Sequence, residues 1–172
     1  MTRLKRENSD VKQEKIILSG IIIAIVIVSS MIIYSFFNAQ SEHFSSIGLL
    51  DENKTTSNYP TTVKNNTPFY LWVDIGNYEG KLNLYLVNIT LGNENTTINK
   101  SHPSTNTAYF IKKYLVIVEN QRSRMIHVNL SINMVINNSR LIFELWKFNS
   151  VLKKFQYLGL WTQIWINITK ST

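Results

Sequence analysis

The 172-residue sequence contains no cysteine, which excludes disulfide frameworks, zinc–thiolate sites, iron–sulfur clusters and cysteine nucleophiles. Charge is also scarce: Asp, Glu, Lys and Arg make up 17% of the chain, against about 25% in an ordinary soluble domain. No Gly-x-Ser-x-Gly elbow, Gly-rich phosphate loop or His-Glu-x-x-His motif is present. The three histidines, His43, His102 and His127, do not stand four residues from a carboxylate or from one another, so metal-ligand spacing is missing. Asp74 and Glu79 could approach across a turn as an acid–base pair, but a turn carboxylate accepting backbone amides is the simpler use. The sequence offers no catalytic, metal-binding or cofactor-binding set, and the expectation is a protein that is not an enzyme.

What is present begins with an apolar run. Residues 16–37, IILSGIIIAIVIVSSMIIYSFF, carry no charge and no proline. As a helix rising ~1.5 Å per residue they extend about 33 Å, enough to cross a ~30 Å hydrocarbon core. Their nine Ile, two Val, one Leu and two Phe favour insertion by roughly 4–8 kcal/mol. In lipid the helix is obligatory, because an unpaired backbone amide finds no water there. Gly20 and Ala24 have the small-xxx-small spacing that permits close helix packing. Arg3, Lys5, Arg6, Lys12 and Lys15 precede the run, and no Lys or Arg follows until Lys54. The positive-inside rule therefore makes residues 1–15 a cytoplasmic basic tail and puts the remainder outside. The run is longer than a secretory h-region, and bulky Phe37 stands two before Ala39, where cleavage after Ala39 calls for a small residue, so an uncleaved signal anchor is expected.

Residues 38–60, rich in Ser, Asn and Thr, read as a polar tether interrupted by a small apolar patch at Ile47, Leu49 and Leu50. Beyond Pro60 the pattern changes to short alternating runs. The clearest is 124–134, with Ile126, Val128, Leu130, Ile132 and Met134 on one face and His127, Asn129, Ser131 and Asn133 on the other. Further strands are predicted over 68–76, 81–91, 108–119, 140–148 and 160–169, with a short one at 61–64, separated by Asn-, Gly- and Ser-containing turns. Six or seven strands in residues 61–172 predict an all-β, immunoglobulin-like antiparallel sandwich outside the membrane. The Cys-Trp-Cys signature of antibody domains is absent, so the likeness is one of architecture.

Three surface features stand out. Asn-x-Ser/Thr acceptors occur at Asn53, Asn65, Asn88, Asn95, Asn99, Asn129, Asn137 and Asn167, all after the apolar run. Chance would supply about three or four, and the excess predicts N-glycosylation in an external compartment. Asn88 and Asn167, inside or near strand ends, are expected to be skipped. Among the four tryptophans, Trp161 and Trp165 share a strand face with Gln163 and Asn167, opposite Leu160, Ile164, Ile166 and Ile168. Such a pair serves either inter-sheet packing or stacking on a sugar or partner protein. Lys153 and Lys154 nearby complete this candidate binding surface. The region after the apolar run holds 13 Lys and Arg against 8 Asp and Glu, and Lys112-Lys113, Arg122/Arg124 and Lys153-Lys154 offer charge to acidic glycans or anionic headgroups. Nucleic acid is not an expected partner outside the cell.

Tyr59-Pro60, residues 68–93 (PFYLWVDIGNYEGKLNLYLVNITLGN), Arg140-Leu141-x-Phe143-x-Leu145 and residues 157–169 (YLGLWTQIWINIT) resemble the extracytoplasmic domain of an archaeal membrane-protein family, domain of unknown function 1616. In that family a Tyr-Pro leads into a strand ending in a turn of the type formed here by Asn77, Glu79 and Gly80. The resemblance implies an envelope-facing β-domain and supplies no reaction. Three roles follow for a single-pass chain. It can present the domain to an envelope protein or glycan, act as an accessory subunit of a membrane enzyme or transport complex, or build a pilin-like filament. Gln13-Glu14-Lys15-Ile16 lacks the basic-Gly/Ala site that pilin processing needs.

Overall fold

The structure, a computed structural model, describes residues 3–38, 43–105 and 107–171. The chain divides into two compact units, residues 1–41 and 42–172. The first holds helix α1 (Arg3–Asn38), which extends the 16–37 run back through most of the basic tail. Its stretch Lys15–Phe37 has a mean hydropathy of 3.0 and no buried residue. Two of the four serines in that stretch, Ser19 and Ser30, return their hydroxyls to carbonyls three and four residues back, at Lys15, Ile16 and Ile27. That satisfies them without a solvent partner.

The second unit is an all-β sandwich of two sheets. Its strands are β1 (Ser45–Leu50), β2 (Thr62–Lys64), β3 (Phe69–Asn77), β4 (Asn83–Gly92), β5 (Tyr109–Val118), β6 (Arg122–Leu130), β7 (Ile136–Asn149) and β8 (Lys154–Thr169). One sheet has the order β1-β3-β6, the other β2-β8-β7-β4-β5. All pairings are antiparallel except β2 with β8. The core between them is built by alternation: Leu71, Val73 and Ile75 from one sheet face Tyr85, Val87, Ile89, Leu141, Phe143, Leu145, Ile164, Ile166 and Ile168 from the other. Nearly all of these are fully buried.

Two readings of the sequence need correction. Residues 45–50, assigned to the polar tether, form β1 and pair in register with β3 from Ser45–Asn77 to Leu50–Trp72. The surrounding Ser and Asn masked a four-residue alternation in which Leu49 reaches the core, 5% exposed. The strand read as 124–134 ends at Leu130, although Ile132 beyond it is still buried. β7 and β8 are longer than their apolar patterns, because register shifts at Ile136/Ser139 and Leu145/Trp146 break the alternation.

Candidate functional site

The outer face of the five-stranded sheet carries most of the predicted surface. Ile164, Ile166 and Ile168 point to the core, so Trp161, Gln163, Trp165 and Asn167 lie on the outer side of β8. Across the ladder, Trp161 pairs with Glu144, Gln163 with Ile142 and Trp165 with Arg140. Arg140 organises this corner. Its guanidinium donates to the Gln163 Oε1 at 2.5 Å and to the Thr96 carbonyl at 2.5 Å, and lies 5.5 Å from the centre of the Trp165 ring. Trp165 is 45% exposed, with the Arg140 cation over its ring. Trp161 is half-buried. Lys153 and Lys154 are not part of this corner. Lys154 pairs with Asn149 and Trp161 with Glu144, positions five ladder steps apart along β7, about 17 Å.

Segment 93–108, between β4 and β5, straps across the same face. Its backbone amide at Ser104 donates to Glu144 Oε1 at 2.6 Å. Glu144 also accepts from Asn88 Nδ2 at 2.9 Å and Trp146 Nε1 at 3.2 Å. With 1% exposure and three donors, this carboxylate is spent on holding the strap. Gly159 makes room for it: φ is +70°, and a Cβ there would come within 2.3 Å of the Lys100 carbonyl oxygen. Tyr157 packs against Trp146, ring centres 5.5 Å apart. Its hydroxyl is buried without a hydrogen-bond partner among the described residues. Burial, and then the Glu144 charge, push its ionisation up to about 12.

The three-stranded sheet presents an aromatic row that the sequence reading did not single out. His127 stacks on Tyr70 at 5.1 Å and against Trp72 at 4.5 Å. Lys54 Nζ lies 4.4 Å from the Trp72 ring centre, and the Trp72 indole donates to the Glu52 carbonyl. The alternation of Tyr70, Trp72 and Asp74 with Leu71, Val73 and Ile75 was the available signal.

Glu79 does not meet Asp74. It accepts from Ser45 Oγ at 2.7 Å and pairs with Lys147. Burial alone would raise this carboxyl, but the bonds from Lys147 and Ser45 and the charges of Lys147 and Lys81 hold it below its ordinary value. Asp74 instead pairs with Gly48 and Met125 in mid-strand. His43 lies against Gly80, while His102 sits in the 93–108 strap. No group of three His, Asp or Glu side chains able to hold a metal occurs among the described residues.

The acceptor asparagines differ in accessibility. Asn53, Asn95, Asn99 and Asn129 are exposed together with the hydroxyl residues Thr55, Thr97, Ser101 and Ser131 that complete their motifs. Asn137 and Asn167 are exposed, but Ser139 is fully buried and Asn167 Oδ1 accepts from the Asn138 amide. Asn65 is half-buried. Asn88 is half-buried with its Nδ2 committed to Glu144.

Among solved structures, the C-terminal domain of Wzt is similar over 77% of this chain and 81% of its own, with 10% identity and a TM-score of 0.48. The CARDB domain of a Pyrococcus furiosus protein, solved with di-metal ions, is 8% identical over 78% of this chain and all of its own, TM-score 0.47. A Listeria innocua β-glucosidase is 8% identical, TM-score 0.44; 77% of this chain aligns, but only 17% of the enzyme. No curated protein matches. The sequence profile of domain of unknown function 1616 matches residues 38–157, from the end of α1 into β8. The chain is a member of the family of domain of unknown function 1616.

Proposed function

We propose that this protein is a single-pass, membrane-anchored module that works by binding and not by catalysis. The observation that carries the reading is a division within the chain. Lys15–Phe37 is apolar with no buried residue, while the sandwich closes a core of its own. A helix that buries nothing in protein needs another apolar solvent, and a bilayer supplies it. The five basic residues before the run support a cytoplasmic N-terminus and an external sandwich, and the exposed acceptors support N-glycosylation there. Trp165, braced by Arg140 and Gln163, is the leading contact for an envelope protein or glycan.

The test has two arms. Protease added to intact cells should digest residues from 43 onward and spare the N-terminal tail; a protected sandwich would overturn the orientation. In mild detergent, Trp165→Ser together with Trp161→Ser should cut copurification of partners by about tenfold or more, as loss of an interfacial tryptophan does. The melting transition should persist. Unchanged copurification by the folded double variant would refute the role of this corner. A partner set retained at fixed stoichiometry would favour the accessory-subunit role instead.

A further inference from the structure

One end of the sandwich is unlike the other. At it meet the chain's arrival at His43, the β3–β4 turn, the β5–β6 turn and the tip of the β7–β8 hairpin. The junction is tied by the Tyr78 amide donating to the Phe44 carbonyl, the Gly80 amide to Asn120 Oδ1, and Lys147 to Glu79. The hairpin tip is apolar where a turn is ordinarily polar. Val151 is 86% exposed and Leu152 52%. Their presentation is fixed, because Asn149 Oδ1 accepts both of their backbone amides at 3.0 Å. Leu82, 60% exposed, stands in the neighbouring turn, and Phe44 stacks on Tyr78 at 4.7 Å with both rings partly in solvent.

Exposed cations stand in the turns at this end: Lys153 and Lys154 beside the apolar tip, Lys81 in the β3–β4 turn and Arg122 at the start of β6. The carboxylates in these turns are Glu79, already paired with Lys147, and Glu119. None of the eight acceptor asparagines falls in the turns 78–82, 119–121 or 150–153. Sugar would therefore leave this end bare. In chain order, this is the end at which the chain enters the sandwich after the apolar run.

From these observations we infer that the His43 end of the sandwich docks on the bilayer surface, with Val151 and Leu152 entering the interface and Lys81, Arg122, Lys153 and Lys154 meeting anionic headgroups. The inference rests on the anchor reading proposed above. Apolar side chains and cations at one end of the domain, with the aromatic rings of Phe44 and Tyr78 there too, match the chemistry of an anionic interface. Each cation near such a surface enriches the docked population on the order of fivefold.

The absence of cysteine makes the test clean, since one introduced thiol takes one label. The full chain is reconstituted into phosphatidylcholine vesicles with or without phosphatidylglycerol. An environment-sensitive fluorophore is placed at Val151→Cys, at Thr67→Cys beyond the opposite end, or at Ile25→Cys in the helix, and lipid-borne nitroxide serves as quencher. The label at 151 should shift to the blue and be quenched in anionic vesicles, less so without phosphatidylglycerol, while the label at 67 stays unquenched. Replacing Lys81, Arg122, Lys153 and Lys154 by Gln should release the label at 151 and leave the label at 25 quenched. If 151 is unquenched in anionic vesicles while 25 is quenched, docking is overturned and the anchor stands, leaving this end to a protein partner or a second copy. Should 25 be unquenched while 151 is quenched, the anchor reading fails and the lipid surface survives; with both unquenched, both ideas fall.

Discussion

Glu144 offers the sharpest quantitative test of how the outer face is held. Its buried carboxylate accepts from Asn88 Nδ2, the Ser104 amide and Trp146 Nε1. A hydrogen bond to a charged group is worth about 1.5–3 kcal/mol, and the donors left behind each carry a desolvation cost. The three losses are not additive, since the 93–108 strap can lift and admit water to its own amide. Glu144→Ala should therefore cost about 3–5 kcal/mol. Glu144→Gln keeps one acceptor oxygen but turns an NH₂ toward a donor, costing roughly 1–2 kcal/mol. For a domain of this size about 3 °C of Tm accompanies each kcal/mol, so the Ala variant should melt roughly 10–15 °C lower and the Gln variant about 3–6 °C lower. Calorimetry in detergent reads this directly, and amide exchange should show Ser104 and its neighbours opening first. If both variants melt within about 1 °C of wild type with Ser104 still protected, the network is ornamental and the strap is held by something else.

The remaining expectations are shorter. Gly159→Ala forces a Cβ into the Lys100 carbonyl at a φ of +70° and should lower stability by about 2 kcal/mol or more, seen as an earlier denaturant midpoint and faster exchange in 93–108. Tyr157 titrates near 12 when folded, above the ~10 of an unfolded tyrosine. Its contribution to stability is thus complete below pH ~10 and is lost as pH rises toward 12; Glu144→Gln should bring the absorbance titration of Tyr157 back toward 10. Glu79 behaves oppositely: its lowered folded value gives stability present above the usual ~4.3 that disappears as pH falls through the folded value. Lys147→Met should move the acid-unfolding midpoint upward. Peptide mass spectrometry of native protein should find glycan at Asn53, Asn95, Asn99 or Asn129 and none at Asn88; sugar on Asn88 would mean that its bond to Glu144 does not form.

Some of this architecture was decided locally and was legible for that reason. A run of 22 residues without charge or proline specifies a helix, because a helix's backbone bonds join neighbours along the chain. Alternation likewise assigned faces correctly in β8, where Ile164, Ile166 and Ile168 go inward and Trp165 outward, since period two is a property of the strand itself. The β-sandwich followed from the number of such strands. Tertiary structure alone decided the rest. Residues 45–50 become a strand only because β3 offers an open edge to pair with, which composition cannot reveal. Glu144 lies on the outward face of β7, where period two predicts exposure, yet it is buried because a strap arriving from residues 93–108 covers it. Lys153 and Lys154 looked close to Trp161 in sequence, but a strand travels ~3.3 Å per residue and carries them to the hairpin end of β8, away from the Trp165 corner. There they share one end of the sandwich with Lys81, Arg122, Val151 and Leu152, groups distant in sequence that only the strand pairings bring to that end.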